Sequence, residues 1–420
     1  MVSAMRSLGQ LRTRALAAVA VLAAAATVAG CGSTEVRTVT VVGAVTVANS
    51  GTSTGTSVSG TSHVTLFPFV ATKNTTRIPG ASPVDDAASV ALATYPSTAP
   101  GTHPAAVVLA PTGSWQAALA ASSLVGSPFD APILLSGSGS LPAVTAQALT
   151  ALSPTGASAA GGTQVIRVGD VPATPGLKST AITGANPYAV AAAIDAYETA
   201  HTHSQSTSVI IASAQDAAFA MPAAGYAAES GTPILFVNDA DVPAATQAAL
   251  VAARHPQIYI LGPTSVIPQR VASQLARFGA VHRIAGATAA DTAVVFAEYR
   301  NPACPSNGEQ CAHEPGTFGW ALRGPGHGYV MLGEQDPLDA AAAAALSATG
   351  SFGPQLLVER PDSLPRAVLD YFYSYATPGY SDEGPTSAVY NHAWLIGGAN
   401  VISTAVQGQI DSLLEAIPTK

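Results

Sequence analysis

Ser208-Val-Ile-Ile-Ala212, Pro233-Ile-Leu-Phe-Val237 and Gln257-Ile-Tyr-Ile-Leu-Gly262 are three short, nearly continuous apolar runs. Runs of this kind, without polar alternation, mark strands buried on both faces. The segments around them, Tyr188–Ala200, Asp216–Glu229, Val242–Arg254 and Val266–Phe278, are rich in Ala and long enough for helices. Met221-Pro222 disturbs the second of these, because proline lacks the N–H and clashes with the preceding turn. Strands and helices in alternation predict a parallel sheet covered by helices.

The pattern occurs three times. Pro132-Ile-Leu-Leu135, Pro233-Ile-Leu-Phe236 and Pro354-Gln-Leu-Leu357 share one strand cue. A second marker precedes each: Arg77-Ile-Pro-Gly80-Ala81, Ala181-Ile-Thr-Gly184-Ala185 and Arg283-Ile-Ala-Gly286-Ala287. A third closes each unit: Val165-Ile-Arg-Val-Gly169, Ile258-Tyr-Ile-Leu-Gly262 and Trp394-Leu-Ile-Gly397-Gly398. Ala106–Leu109 and Tyr329–Leu332 take the position of Val209–Ile211. A fixed order of markers at a period of roughly a hundred residues predicts tandem modules, each of small-domain size. The units are 72–178, 179–279 and 280–418, the last lengthened by an insertion near 300–325.

The order of these motifs resembles the second type of bacterial cell-wall-binding repeat, best known from clostridial surface proteins. The likeness is clearest at Arg283-Ile-Ala-Gly-Ala-Thr-Ala-Ala-Asp-Thr292-Ala293 and at Ile396-Gly-Gly-Ala-Asn-Val-Ile-Ser403. The resemblance implies an α/β fold of three tandem Toprim-like or Rossmann-like modules with short parallel sheets in a pseudo-threefold arrangement. It also implies attachment to wall polymer. One departure stands out: that family pattern carries a second arginine three residues after the marker glycine, where this chain has Pro83, Pro187 and Ala289. The middle unit also has Ala181 in place of the first arginine.

The N-terminus reads as an export signal. Arg6, Arg12 and Arg14 precede an apolar run from Ala15 to Val28, shorter than the roughly 20 residues of a membrane-spanning helix. The run ends in Val28-Ala29-Gly30-Cys31, which resembles the bacterial lipobox. That resemblance implies cleavage after residue 30 and acyl chains on Cys31, hence a lipid anchor on the outer face of the cell membrane. Residues 31–71 form a Thr/Ser/Gly-rich tether. Its Gly51-Thr-Ser53-Thr-Gly55 matches a nucleophile elbow only in letters, since that elbow needs a strand before it and a helix after it. No other segment is apolar enough to span a bilayer.

The remaining cysteines, Cys304 and Cys311, frame a turn-rich hexapeptide. In an exported chain the simplest reading is a disulfide. Free thiols, or a metal site with His313, are the alternatives, and zinc would need a fourth ligand.

With 48% hydrophobic and 10% charged residues the chain is globular, and its net charge of −8 argues against nucleic acid. Catalytic motifs are sparse, and no cofactor or resident metal is expected. His201-Thr-His203 sits at a helix end, where residues two apart do not face one another. His327, within Gly324-Pro-Gly-His-Gly328, belongs to a tight turn. Asp85 and Asp86 start a helix, with catalysis the lesser reading. Tyr371, Tyr373, Tyr375 and Tyr380 serve either core packing or sugar stacking. Arg270 and Arg277, seven residues apart, lie on one face of a helix and, with Arg283, form the candidate anion contact. The function expected is a non-catalytic, lipid-anchored envelope protein that binds wall glycan, an anionic polymer or a wall-associated partner. The alternative is a solute-binding lipoprotein of a transporter, a class built on two lobes instead of three repeats.

Overall fold

The computed structural model describes residues 70–300, 317–320, 328–348, 353–374, 379–380, 391–415 and 417–418. Cys31, Cys304, Cys311, His327 and Tyr375 lie outside the described residues.

The chain begins with β1 (Val70–Ala71), β2 (Thr75–Ile78) and α1 (Pro83–Thr94). Unit one continues through β3 (Val107–Pro111), α2 (Trp115–Ala120), a 3-10 turn at Ala121–Leu124, β4 (Ile133–Ser136), α3 (Ala143–Leu152) and β5 (Val165–Val168). Unit two follows with β6 (Ser179–Ile182), α4 (Pro187–Thr202), β7 (Ser208–Ser213), α5 (Ala217–Ala220), α6 (Pro222–Ser230), β8 (Ile234–Val237), α7 (Ala244–Ala252), β9 (Gln257–Leu261) and α8 (Gln269–Leu275). Unit three comprises β10 (Ala280–Ile284), α9 (Ala289–Ala297), β11 (Gly328–Gly333), α10 (Pro337–Ala342), α11 (Ala344–Ala348), β12 (Gln355–Val358), α12 (Arg366–Ser374), β13 (Gly379–Tyr380), β14 (His392–Ile396), α13 (Thr404–Leu413) and β15 (Ile417–Pro418).

Three main sheets result, ordered β4-β3-β5-β6, β8-β7-β9-β10 and β12-β11-β14-β2-β1. All their pairings are parallel except β1 with β2. Short β13 and β15 pair separately. This is the expected α/β architecture of repeated modules.

The marker strands carry the unexpected part of the topology. β6, β10 and β2 open their units in sequence, yet each adds to the sheet of the unit before it. A parallel edge strand satisfies backbone groups that would otherwise be open to water or to another chain. The helix after each marker then packs on the next sheet. Thus α4 rests on β8 and α7, α9 on β12 and α12, and α1 on β4 and α3. Because β2 pairs with β14 and α1 packs on α10, the third unit joins back to the first and the ring closes.

The marker glycines make this crossing possible. A Cβ on Gly80, Gly184 or Gly286 would overlap Asp86, Val190 or Asp291 in the helix that follows. The helix start is then fixed by a side-chain cap. Asn186 Oδ1 accepts from the Ala189 amide at 2.9 Å, and Thr288 with Asp291 forms a capping box on α9.

The helices that follow β3, β7 and β11 are all broken, at Ala121, Met221 and Ala343. Their Ala-rich halves meet at the inter-unit core, where Ala117–Ala121, Ala223, Ala224, Ala227, Ala228 and Ala340–Ala345 are all buried. Small side chains let these helices approach closely. Among the described residues, no helix is long and apolar enough to cross a membrane.

Candidate ligand-binding crevice

In each sheet the first strand (β3, β7 or β11) connects onward to one neighbour and lies against a later strand (β5, β9 or β14) on its other side. Loops leaving the carboxyl ends of such a pair diverge and open a crevice, the usual ligand position in open parallel sheets. The ring therefore has three homologous crevices.

In two of them a side chain packs over the glycines at the strand ends. In unit two, Phe219 of α5 and Val266 pack over Gly262, both within 3.3 Å of where a Cβ would stand. In unit three, Val401 packs against Gly333 and Gly397 closely enough that a Cβ on either would collide with it. Unit one has neither of these side chains, and Pro111 of β3 packs on Gly169 instead, 3.2 Å from where a Cβ would stand. Ala117 stands at the position of Phe219, and the segment after Gly169 runs to β6 without the helix that α8 and α13 provide elsewhere. What remains is a cleft of about 530 Å³. That lies within the range of roughly 300–1,000 Å³ typical of small-ligand sites.

Pro111, Ala117, Pro187 and Val190 supply the apolar lining of this cleft, and Thr112, Ser114, Ser138, Asp170 and Asn186 the polar groups. Two of the latter also cap helices: Ser114 Oγ accepts from the Ala117 amide at 3.3 Å and Asn186 Oδ1 from Ala189. Capping leaves the Asn186 amide NH₂ available. Among the described residues, the hydroxyls of Thr112 and Ser138 and the Asp170 carboxylate have no side-chain partner. A Cβ on Gly113 would meet nothing within 4 Å, so the mouth is open there. No Lys, Arg or His lines the cleft.

The marker arginines have a different task. Arg77 is 3% exposed. Its Nη1 donates to the carbonyls of Gly397 (2.9 Å) and Gly398 (3.0 Å), Nη2 to Ile402 (2.6 Å), and Nε to Gln407 Oε1 (3.0 Å). Arg283 repeats this on the preceding unit, donating to Gly262 (2.7 Å) and Ile267 (2.9 Å). Burial lowers both guanidinium pKa values. Each arginine thus holds the loop that leads into α13 or α8. Unit one has no such helix, and its closing strand β6 carries Ala181 instead. Arginine is absent where the loop it would hold is absent, and Arg167 of the neighbouring strand faces Ala181 across the ladder.

The crevice between units three and one is acidic. Asp86, 2% exposed, and Asp339, 4% exposed, occupy the positions held by Val190 and Ala117 in the open cleft. Asp86 Oδ1 accepts from the Gly80 amide at 2.8 Å, as Thr292 Oγ1 does from Gly286 at 2.9 Å. Asp339 Oδ1 is buried without a partner. Burial, aided by the charges of Asp85 and Asp336, pushes Asp86 up to about 7. Burial together with Asp86 and Asp336 pushes Asp339 up to about 8. No group of three or more His, Cys, Asp or Glu among the described residues is placed to hold a metal ion.

The repeated markers, the Arg-held loops and the closed ring converge with the comparisons. The model of cell wall binding domain 2 (CWB2) matches residues 181–272 and 283–407. The chain belongs to the CWB2 family. Two solved structures share its fold. Cwp6 from Clostridium difficile superposes with a TM-score of 0.61 at 17% identity, covering 82% of this chain and 49% of that one. Cwp8 from Clostridium difficile gives 0.59 at 18% identity, covering 81% of this chain and 52% of that one. The CWB2 chain thus spans about half the length of either. No curated protein matches the sequence.

Within this CWB2 ring the three arginines singled out by sequence separate. Arg270 and Arg277 are exposed on and just beyond α8, and Arg270 Nη2 donates to the Asp239 carbonyl of the same unit. Arg283 lies beneath that helix with its guanidinium bonded to backbone. Tyr371 is buried edge-on to Tyr329, whereas Tyr373 is 67% exposed, so these two do not share one platform. His201 Nδ1 donates to the Ala159 carbonyl (3.0 Å) and its ring packs on Tyr197, while His203 ends α4 in the left-handed conformation. Asp85 and Asp86 do start α1, as expected, but Asp86 is also a buried contact of the ring closure.

The open cleft itself escaped the sequence reading, although a signal was there. Only nine residues separate Gly169 from Ser179, too few for the loop and helix that lie between Gly262 and Ala280.

Proposed function

We propose that this CWB2 protein is a lipid-anchored, non-catalytic component of the cell envelope that holds wall polymer from the outer face of the membrane. The observation that carries the reading is the family match over two tandem units, joined to a third in one closed ring. Acyl chains on Cys31 supply the membrane anchor and residues 32–69 the tether. On the ring, Arg270 and Arg277 are the exposed cations on the flank of unit two, and they make the anionic contact. Arg283 supports them from below by fixing the loop into α8.

Retention of the full chain on purified wall sacculi tests this. Replacing Arg270 and Arg277 together with Ala removes two charge-assisted contacts of about 1.5–3 kcal/mol each. Retention should weaken at least tenfold and lose salt sensitivity, with the melting temperature unchanged because both side chains are exposed. Unchanged retention would remove the arginines from the site, and no retention of the wild-type chain would sink the wall-binding reading.

A further inference from the structure

We propose that the open crevice of unit one is a saccharide subsite that takes an uncharged, hydroxyl-rich segment of wall glycan. The inference rests on the wall-binding reading for the source of the sugar, but on the cleft alone for its chemistry.

Position comes first. The cleft lies outside the carboxyl ends of β3 and β5, at the switch point of a parallel sheet. Ala117 replaces Phe219 here, and Gly169 meets Pro111 of its own sheet where Gly262 meets Val266 and Gly397 meets Val401 from the loop that follows. Unit one has no α8-like helix between β5 and β6 to cover this site. The loop that a marker arginine holds elsewhere is absent with that helix, and Ala181 stands at the arginine's position.

Chemistry selects the ligand. A pyranose presents an apolar C–H face and a rim of hydroxyls, each able to donate and accept. The cleft matches both features. Pro187 offers half-buried aliphatic surface beside a buried apolar floor of Pro111, Ala117 and Val190. Around them stand an acceptor (the Asp170 carboxylate), a donor (the Asn186 NH₂) and two hydroxyls that do either (Thr112 and Ser138). An anionic segment would meet Asp170 with no cation in the lining to offset it, in a chain of net charge −8. Charged polymer is therefore left to the arginines on α8, and the two contacts are separate.

The test is calorimetric titration of the full chain with chitotriose, maltotriose and mannotriose, set against trigalacturonic acid as the anionic probe. At least one neutral trimer should bind, and trigalacturonic acid should bind at least tenfold more weakly than that trimer. Ala117→Phe places in unit one the side chain that fills unit two, and it should weaken the trimer at least tenfold. Asp170→Ala, at an exposed position, should weaken it severalfold without touching the fold, which covers the case of a poorly folding Ala117→Phe. Sacculus retention is measured in parallel. A fall with Ala117→Phe confirms wall glycan as the source, whereas trimer binding lost with retention unchanged overturns that source. Binding of none of the neutral trimers, or equal binding by wild type and both variants, overturns the subsite. Since wall retention is read separately through Arg270 and Arg277, it can stand when the subsite falls.

Discussion

Raising the pH from about 5 to 8 should weaken the contact between units three and one, and Asp339→Asn should blunt the effect. Asp86 on α1 and Asp339 on α10 are both buried there, facing Asp85 and Asp336 and the amide of Gly80, with no cation paired to either. Their folded pKa values, about 7 and about 8, lie above the roughly 3.9 of an unfolded aspartate. Between pH 5 and 7 each therefore holds a proton in the fold that the unfolded chain has released. The stabilisation is complete at low pH and is lost as pH rises through the folded values. The slope is about 1.4 kcal/mol per pH unit for each group. Over those two units the pair would cost up to about 5 kcal/mol, comparable with the whole stability of a marginal domain.

Burial also pushes Asp195 up to about 6 and Glu198 up to about 8, so they add slope of the same sign between units one and two. The diagnostic quantity is therefore the difference between wild type and variant. Urea melts at half-unit pH intervals would measure it, since asparagine mimics the protonated side chain. Asp339→Asn should flatten the profile by about 1.4 kcal/mol per pH unit between pH 5 and 7, and adding Asp86→Asn should flatten it further. Parallel profiles for wild type and both variants would refute the reasoning, because the two carboxyls would then be ionised or solvated in the fold.

Arg77→Met should lower stability by about 3 kcal/mol or more, since it strands buried carbonyls of the Gly397–Ser403 loop. Arg283→Met, which removes two bonds at a half-buried position, should cost about half as much, and the shift in urea midpoint ranks the two. Equal, negligible effects would mean that these loops are held by packing alone. Cys31→Ala should move the protein from the detergent phase to the aqueous phase on Triton X-114 partitioning, because two acyl chains suffice for anchoring. Retention in the detergent phase would point to an uncleaved apolar helix instead.

The sequence by itself determined the class of fold and the number of units. Buried parallel strands must be apolar on both faces, so Val209–Ile211, Ile234–Phe236 and Ile258–Leu261 announce themselves without any partner being known. Three copies of one marker order then fix three modules, and Met221-Pro222 gives away the break between α5 and α6 because proline acts locally. Tertiary structure alone decided which sheet each marker strand joins. Arg77 and Gln407 meet across 330 positions of sequence, and β2 closes the sheet of a unit that ends the chain. No local property of Thr75–Ile78 encodes that choice, because an edge strand offers the same backbone groups to either sheet. The meaning of the marker arginines was hidden for the same reason: whether a guanidinium meets a polymer or a backbone carbonyl depends on what folds over it. Arg283 and Arg270 look alike in the sequence, yet the fold leaves Arg270 exposed on α8 and holds Arg283 half-buried on the carbonyls of the loop that leads into that helix. The unit-one cleft is decided in the same way, by a helix and a phenylalanine that are present elsewhere in the ring and missing there.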